Sequence, residues 1–192
     1  MWKSDQTTIA LVPPPALRSR IEDIRWRHDR NVFWVPAHVT LLYPFVEAVE
    51  IGALLPDLRR LCAGIPAFTL ELSRFSWFSQ PDDVSTLWLA PDPPAPVIAL
   101  HDALLGRVPT CDDQTRYPGG YTPHITVGEA TGARQRDAML RELAATWTPA
   151  RWTVDRITVL LRSGKDPFRV TDELALGGAP PRRRGAARAP RW

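Results

Sequence analysis

The chain has 192 residues, 44% of them hydrophobic and 23% charged, with a formal net charge of +3. A chain of this length buries roughly 70% of its unfolded surface without staples. With only Cys62 and Cys111, it is neither a disulfide scaffold nor a multi-cysteine zinc site. There is no apolar run of the roughly 18 residues that a membrane span needs. The start, Met1-Trp2-Lys3-Ser4-Asp5-Gln6, lacks the order of a signal peptide, so a cytoplasmic protein with no membrane partner is expected.

The charge is uneven. Gly177 to Trp192 hold five of the 24 basic residues (Arg182, Arg183, Arg184, Arg188 and Arg191) and no acid, leaving 19 basic against 21 acidic in the body. Residues 177–192 are therefore expected to be a disordered Arg/Pro/Gly-rich tail capable of weak electrostatic contact with RNA. Residues 1–176 are expected to form a single bilobal domain, most simply a monomer.

Twenty prolines mark the element ends. In chain order, Thr7–Val12 predicts a strand stopped by Pro13-Pro14-Pro15, and Ala16–Asp29 a helix with Leu17, Ile21, Ile24 and His28 at helical spacing. Ala37–Leu42 predicts a short strand, and Val49–Ala63 a helix with Leu54, Leu55, Leu58, Leu61 and Cys62 inward. Phe68–Phe78 alternates as a half-buried strand, and Val84–Ala90 is a strand closed by Pro91. Val97–Arg107 reads as a helix, Tyr121–Gly128 holds a strand, and Arg134–Trp147 is a helix. Trp152–Leu161 and Phe168–Leu176 are the last strands.

This order repeats. A strand, prolines, a helix and then His38-Val39-Thr40 are followed by a strand, prolines, a helix and then His124-Ile125-Thr126. The offsets are 79 residues from Ile9 to Trp88, 86 from His38 to His124 and 84 from Phe68 to Trp152. Two copies of one strand-helix-strand-helix-strand unit would pack about a pseudo-twofold axis and bring equivalent positions face to face.

The histidines sharpen this reading. Of the four, His38 and His124 are each followed two positions later by threonine, whereas His28 and His101 are not. In a strand, side chains i and i+2 share a face. His38 and Thr40 therefore point together, as do His124 and Thr126, while Val39 and Ile125 turn to the core. Two imidazoles across one cleft suit paired proton transfer, one taking a proton while the other gives one. Two hydroxyl donors suit the non-bridging oxygens of a phosphate. A zinc site at the same place would need a third ligand, and neither motif offers one at ligand spacing. No cofactor or metal is expected.

Pro36-Ala37-His38-Val39-Thr40-Leu41-Leu42-Tyr43-Pro44-Phe45 and Tyr121-Thr122-Pro123-His124-Ile125-Thr126-Val127-Gly128 resemble the paired motifs of the 2H phosphoesterase superfamily. That superfamily includes 2′-5′ RNA ligase-like proteins and cyclic nucleotide phosphodiesterases. The resemblance covers roughly residues 5 to 176. It implies an α+β fold, duplicated and two-lobed, with antiparallel sheets lining a central cleft, helices outside and a pseudo-twofold relation between the lobes. It further implies metal-independent opening of a 2′,3′-cyclic phosphate, on an RNA end or a small nucleotide. His38 and His124 would be general acid and base, and Thr40 and Thr126 would hold the phosphate. The sequence departs from the RNA ligase-like pattern at Gly128-Glu129-Ala130, where a basic residue commonly stands. A non-catalytic phosphate- or RNA-binding module and a 2′-5′ RNA ligase running the reverse reaction are the alternatives.

Around the motifs, Tyr43 and Tyr121 are candidate substrate contacts, with Phe45 and Tyr117 as neighbours. Most of the eight tryptophans are expected to be packing, with Trp34 and Trp77 the two candidates for exposure at the cleft. Thr110–Gly120 is a long loop leading into the second motif, either a lid or a connector. Cys111 has no base pattern that would make it a nucleophile. His28 is expected at a solvated helix end.

Overall fold

The computed structural model describes residues 1–116 and 119–177. The expected tail beyond Gly177, Tyr117 and part of the loop before the second motif lie outside the described residues. The elements are β1 (Lys3–Ser4), β2 (Thr7–Leu11), α1 (Pro15–His28), β3 (Val39–Leu42), β4 (Phe45–Val46), α2 (Ala48–Ala63), β5 (Phe68–Ser79), β6 (Val84–Asp92) and α3 (Ala95–Leu105). A 3₁₀ turn at Asp113–Thr115 is followed by β7 (Ile125–Thr131), α4 (Gly132–Thr146), β8 (Ala150–Val154), β9 (Arg156–Leu161) and β10 (Arg169–Ala175).

The prolines explain most boundaries. Pro15 sits in the first turn of α1, where its fixed φ and missing N–H cost nothing. The last turn of α1 carries Arg25, Arg27 and His28 at the negative end of the helix dipole. Two prolines do not stop their elements. Pro56 lies inside α2, and Pro91 stays in β6 opposite Leu72, extending that strand to Asp92.

Two four-stranded antiparallel sheets form the body, in the orders β10-β9-β2-β3 and β7-β6-β5-β8. They correspond position by position: β3 with β7, β2 with β6, β9 with β5 and β10 with β8. The duplication is visible in the backbone itself. β2 meets β3 with Ala10 opposite Thr40 and Ile9 opposite Leu42, so Leu41 is skipped. β6 meets β7 with Trp88 opposite Thr126 and Leu87 opposite Gly128, so Val127 is skipped. Each motif strand thus carries a bulge one residue after its threonine, and bulges of this kind re-aim side chains.

The copies also exchange strands. β5, from the first copy, pairs with β6 of the second, and β9, from the second, pairs with β2 of the first. The single strand expected over Trp152–Leu161 is therefore two. β8 pairs with β5 in one sheet, β9 pairs with β2 in the other, and the chain crosses between them at Asp155. Burial alternates through Trp152 and Val154 in β8 and then becomes continuous from Arg156 to Leu160 in β9, a change set by which sheet each strand joins.

Helices are crossed in the same sense. α1 packs against β7, and α3 against β3, so each helix braces the motif strand of the other copy. One contiguous apolar core runs through both halves, from Ile9 and Leu11 through Leu70 and Leu72 to Leu87, Leu89, Ile157 and Val159. Among the described residues no helix is long and apolar enough to cross a membrane.

Candidate active site

β3 and β7 are the end strands of their sheets, and they approach each other across the cleft. Both histidines stand just ahead of their strands rather than inside them, because β3 begins at Val39 and β7 at Ile125. That position frees the preceding backbone carbonyls, and both imidazoles use them. His38 donates Nδ1–H to the Pro36 carbonyl at 2.7 Å, and His124 donates Nδ1–H to the Thr122 carbonyl at 2.8 Å. A carbonyl only accepts, so it fixes the proton of each neutral ring on Nδ1 and leaves Nε2 as a lone pair. At the first motif that lone pair accepts from the Thr40 hydroxyl at 3.1 Å, so His38 and Thr40 share a face as their spacing requires.

Two cavities meet at Thr40. One, of about 300 Å³, is lined by His38, Thr40 and Thr126 together with Tyr43, Trp34, Arg25 and Arg162. The other, of about 490 Å³, is lined by His124, Thr40 and Thr122 with Phe78, Gln80, Thr86 and Gln114. Each cavity joins the histidine of one motif to a threonine of the other, as a twofold arrangement of the two motifs demands.

The walls differ. His124 is edged by Phe78, with ring centroids 5.0 Å apart, and by Trp88 at 6.1 Å, and these two rings stack on each other at 4.9 Å. Burial among these rings pushes the His124 imidazole below the ordinary histidine range. His38 faces a charged wall. Arg25, buried on α1, donates Nε–H to Asp29 at 2.8 Å and its Nη1 to Glu22 at 2.9 Å and to the Val35 carbonyl at 2.9 Å. Glu22 also accepts from the Ala37 N–H, so this network anchors the backbone that leads into His38. Burial first, then the Arg25 and His124 charges, lower the His38 pKa to about 4 against the upward pull of Pro36 and Asp29.

That depression has a measurable consequence. Unfolded His38 takes up its proton as the pH falls through about 6.5, whereas the folded ring stays neutral down to about 4. Proton uptake by the unfolded chain therefore removes stability over that window and leaves it untouched above pH 6.5. His38 is half-buried in a cavity wall, so the loss is about 1–3 kcal/mol rather than the full value of the shift. Thermal melts of wild type and H38Q should run parallel above pH 7 and converge or cross between pH 6.5 and 4. Parallel curves throughout would show that His38 titrates normally.

The other expected site residues divide. Tyr43 and Trp34 line the His38 cavity. Phe45 is fully buried in the core. Tyr121 stands behind the site: its hydroxyl donates to the Thr40 carbonyl at 2.7 Å, and its ring stacks on buried His101 at 4.0 Å. Burial drives its phenol well above the usual range. Trp77 is away from both cavities under the Arg136 guanidinium. His28 is half-buried against Gly128 rather than solvated. In the loop before the second motif, Gln114 donates to the Tyr43 carbonyl at 3.0 Å and lines the His124 cavity, tying the loop to the opposite lobe. Cys111 is buried, and burial raises its thiol pKa, which suits packing rather than attack.

Sequence reasoning missed Arg25, Asp29 and Arg162. The acids at Glu22 and Asp29, three before and four after Arg25, were a readable helix-surface pattern. Nothing local marks Arg162.

The sequence profile of the 2′-5′ RNA ligase superfamily matches residues 13–166. A Bacillus licheniformis protein named "Putative phosphoesterase" is 26% identical over 170 residues, covering 88% of this chain and 97% of its own. Among solved structures, Escherichia coli LigT complexed with 3′-AMP superimposes with a TM-score of 0.59 at 23% identity, over 90% of this chain and 98% of that one. TT0787 of Thermus thermophilus does so with a TM-score of 0.58 at 20% identity, over the same shares of the two chains. LigT has also been crystallised with NADP+ and with ATP. The profile match takes in both motifs and most of the chain between and around them: this protein belongs to the 2′-5′ RNA ligase superfamily of 2H phosphoesterases.

Proposed function

We propose that this chain is a metal-independent phosphodiesterase that opens 2′,3′-cyclic phosphates by paired-histidine acid–base catalysis. One observation carries the reading: both imidazoles give Nδ1–H to the carbonyl two residues earlier, so both keep Nε2 for a reacting group. In this reading the phosphate is held by Thr40 and Thr126 and is served by the two imidazoles from opposite sides. The nucleotide complexes of LigT support a nucleotide-sized occupant.

In this scheme His38 is the base. Burial and the Arg25 charge keep its Nε2 free of a proton, ready to accept one from the attacking water. His124 is the acid. Among the described residues burial, not a neighbouring cation, is what lowers its proton affinity, and the negative phosphate raises that affinity once substrate is bound. Water attacks phosphorus, the bond to the 2′ or 3′ oxygen breaks, and His124 protonates the departing oxygen. Thr40 and Thr126 hydroxyls hydrogen-bond the non-bridging oxygens as charge builds there. The reverse reaction, with a ribose hydroxyl in place of water, is the ligase direction of the same groups.

The test is incubation with each of the four 2′,3′-cyclic nucleotides in the presence of a chelator, followed by phosphorus NMR. The expected result is one monophosphate isomer, unaffected by the chelator. Tight binding of the cyclic nucleotides with no product formed would replace hydrolysis with the binding-module reading.

A further inference from the structure

The second motif runs on into Gly128-Glu129-Ala130, so an acid and not a base follows it. Glu129 is itself paired with Arg30 at 3.1 Å. Two arginines nevertheless line the His38 cavity, Arg25 and Arg162. Their electrostatics differ. Arg25 is already held within its own network: two carboxylates and a backbone carbonyl take its Nε and Nη1, and the trio with Glu22 and Asp29 carries a net negative charge. Arg162 follows directly on β9, from the far end of the sequence. One well-exposed carboxylate, Asp5, takes its Nη2 at 3.0 Å. Its Nε–H is buried without a partner. A buried, unsatisfied donor on a charged group is costly unless something else fills it.

Arg162 is also fixed in place. Its backbone N–H donates to the Gln6 carbonyl at 2.8 Å, and its guanidinium lies over the Phe168 ring at 4.9 Å. Phe168 is tied in turn to Trp34 by a backbone hydrogen bond of 2.8 Å. A planar guanidinium that lines a phosphate-sized cavity and is partnered by a single exposed carboxylate is a preorganised oxyanion partner.

Resting on the function proposed above, we infer that Arg162 is the phosphate-binding cation of this active site, contributed by the strand exchanged between the two copies in place of a basic residue after the second motif. Its guanidinium binds a non-bridging phosphoryl oxygen on the His38 side, while Thr40 and Thr126 hold the phosphate from the motif strands. The substrate class that follows is an anionic phosphodiester whose phosphate enters the His38 cavity.

The experiment titrates inorganic phosphate and adenosine 2′,3′-cyclic phosphate into wild type, R162Q, R162K and D5N, and measures turnover of the cyclic nucleotide and thermal melts in parallel. R162Q and D5N both break the Arg162–Asp5 ion pair, so a purely structural role predicts equal losses in the two. The expected result is that R162Q weakens phosphate binding about ten- to hundredfold, R162K recovers part of it, and D5N stays within threefold of wild type. Wild-type affinity in R162Q, equal losses in R162Q and D5N, or no phosphate binding by the wild type would each overturn the assignment. The two proposals fail separately. Turnover that survives in R162Q sinks the role of Arg162 and leaves the phosphodiesterase standing. Phosphate binding that depends on Arg162 in a wild type without turnover does the reverse.

Discussion

His38→Ala and His124→Ala are each expected to lower kcat on a 2′,3′-cyclic nucleotide by about a thousandfold, with KM moved less than threefold. A positioned general acid or base is worth about 10²- to 10⁴-fold, and ground-state binding of the phosphate falls to Thr40, Thr126 and the cavity walls. Because both proton transfers belong to one displacement, the double variant should be scarcely slower than either single one. The two singles should differ in pH dependence. The base must be neutral, and His38 is held to about 4, so in wild type kcat/KM should stay high as the pH falls well below 6.5. The acid must be protonated, and His124 in the free protein titrates below its ordinary value, so kcat/KM should already be declining as the pH rises through about 6.5. His38→Ala removes the acid-side limit and His124→Ala the alkaline decline. Full turnover in either alanine variant would remove that histidine from the chemistry, and interchanged limbs would exchange the acid and base roles.

The chemistry of the site was more legible in the sequence than the path of the chain that builds it. His-x-Thr at spacing two is a local rule, and it delivered His38 beside Thr40, in contact at 3.1 Å. Helical spacing located all four helices to within a few residues because their apolar positions repeat within one element. What local pattern does not encode is partner choice. β5 and β9 read as strands whichever sheet they join, and their exchange is decided by contacts far away in sequence. The crossing at Asp155 was invisible for that reason, and so was Arg162, whose relevance depends on β9 lying beside β2. Arg25 shows a third case. On a mostly polar helix it reads as surface, yet Glu22, Asp29 and the Val35 carbonyl satisfy it well enough to bury it behind His38.

Gly128→Ala should destabilise the protein by about 2–3 kcal/mol, while Gly52→Ala, the same substitution in α2, should stabilise it by up to about 1 kcal/mol. Gly128 is buried in β7 where α1 crosses it. A Cβ there would stand 2.5 Å from the His28 Cβ and 2.9 Å from the His28 carbonyl oxygen. The obstacle is backbone and the root of a side chain, so no rotamer change relieves it, and α1 must lift from the strand. Gly52 is exposed on its helix, and a Cβ there meets nothing within 4 Å. Its replacement only removes the entropic cost of glycine in a helix. For a chain of this size the Gly128 loss corresponds to a fall in Tm of roughly 4–12 °C. It should also reach the chemistry. His28 ends the helix that carries Arg25 and leads into Asp29, both in the wall of the His38 cavity, and Gly128 follows Thr126 by two residues on the motif strand. Turnover should therefore drop in Gly128→Ala at temperatures where the variant is still folded, and remain at the wild-type level in Gly52→Ala. A Gly128→Ala protein with unchanged Tm and turnover would mean that α1 and β7 are not locked at this contact, and that the tightness of the second motif's glycine does not help to hold the two histidines in register.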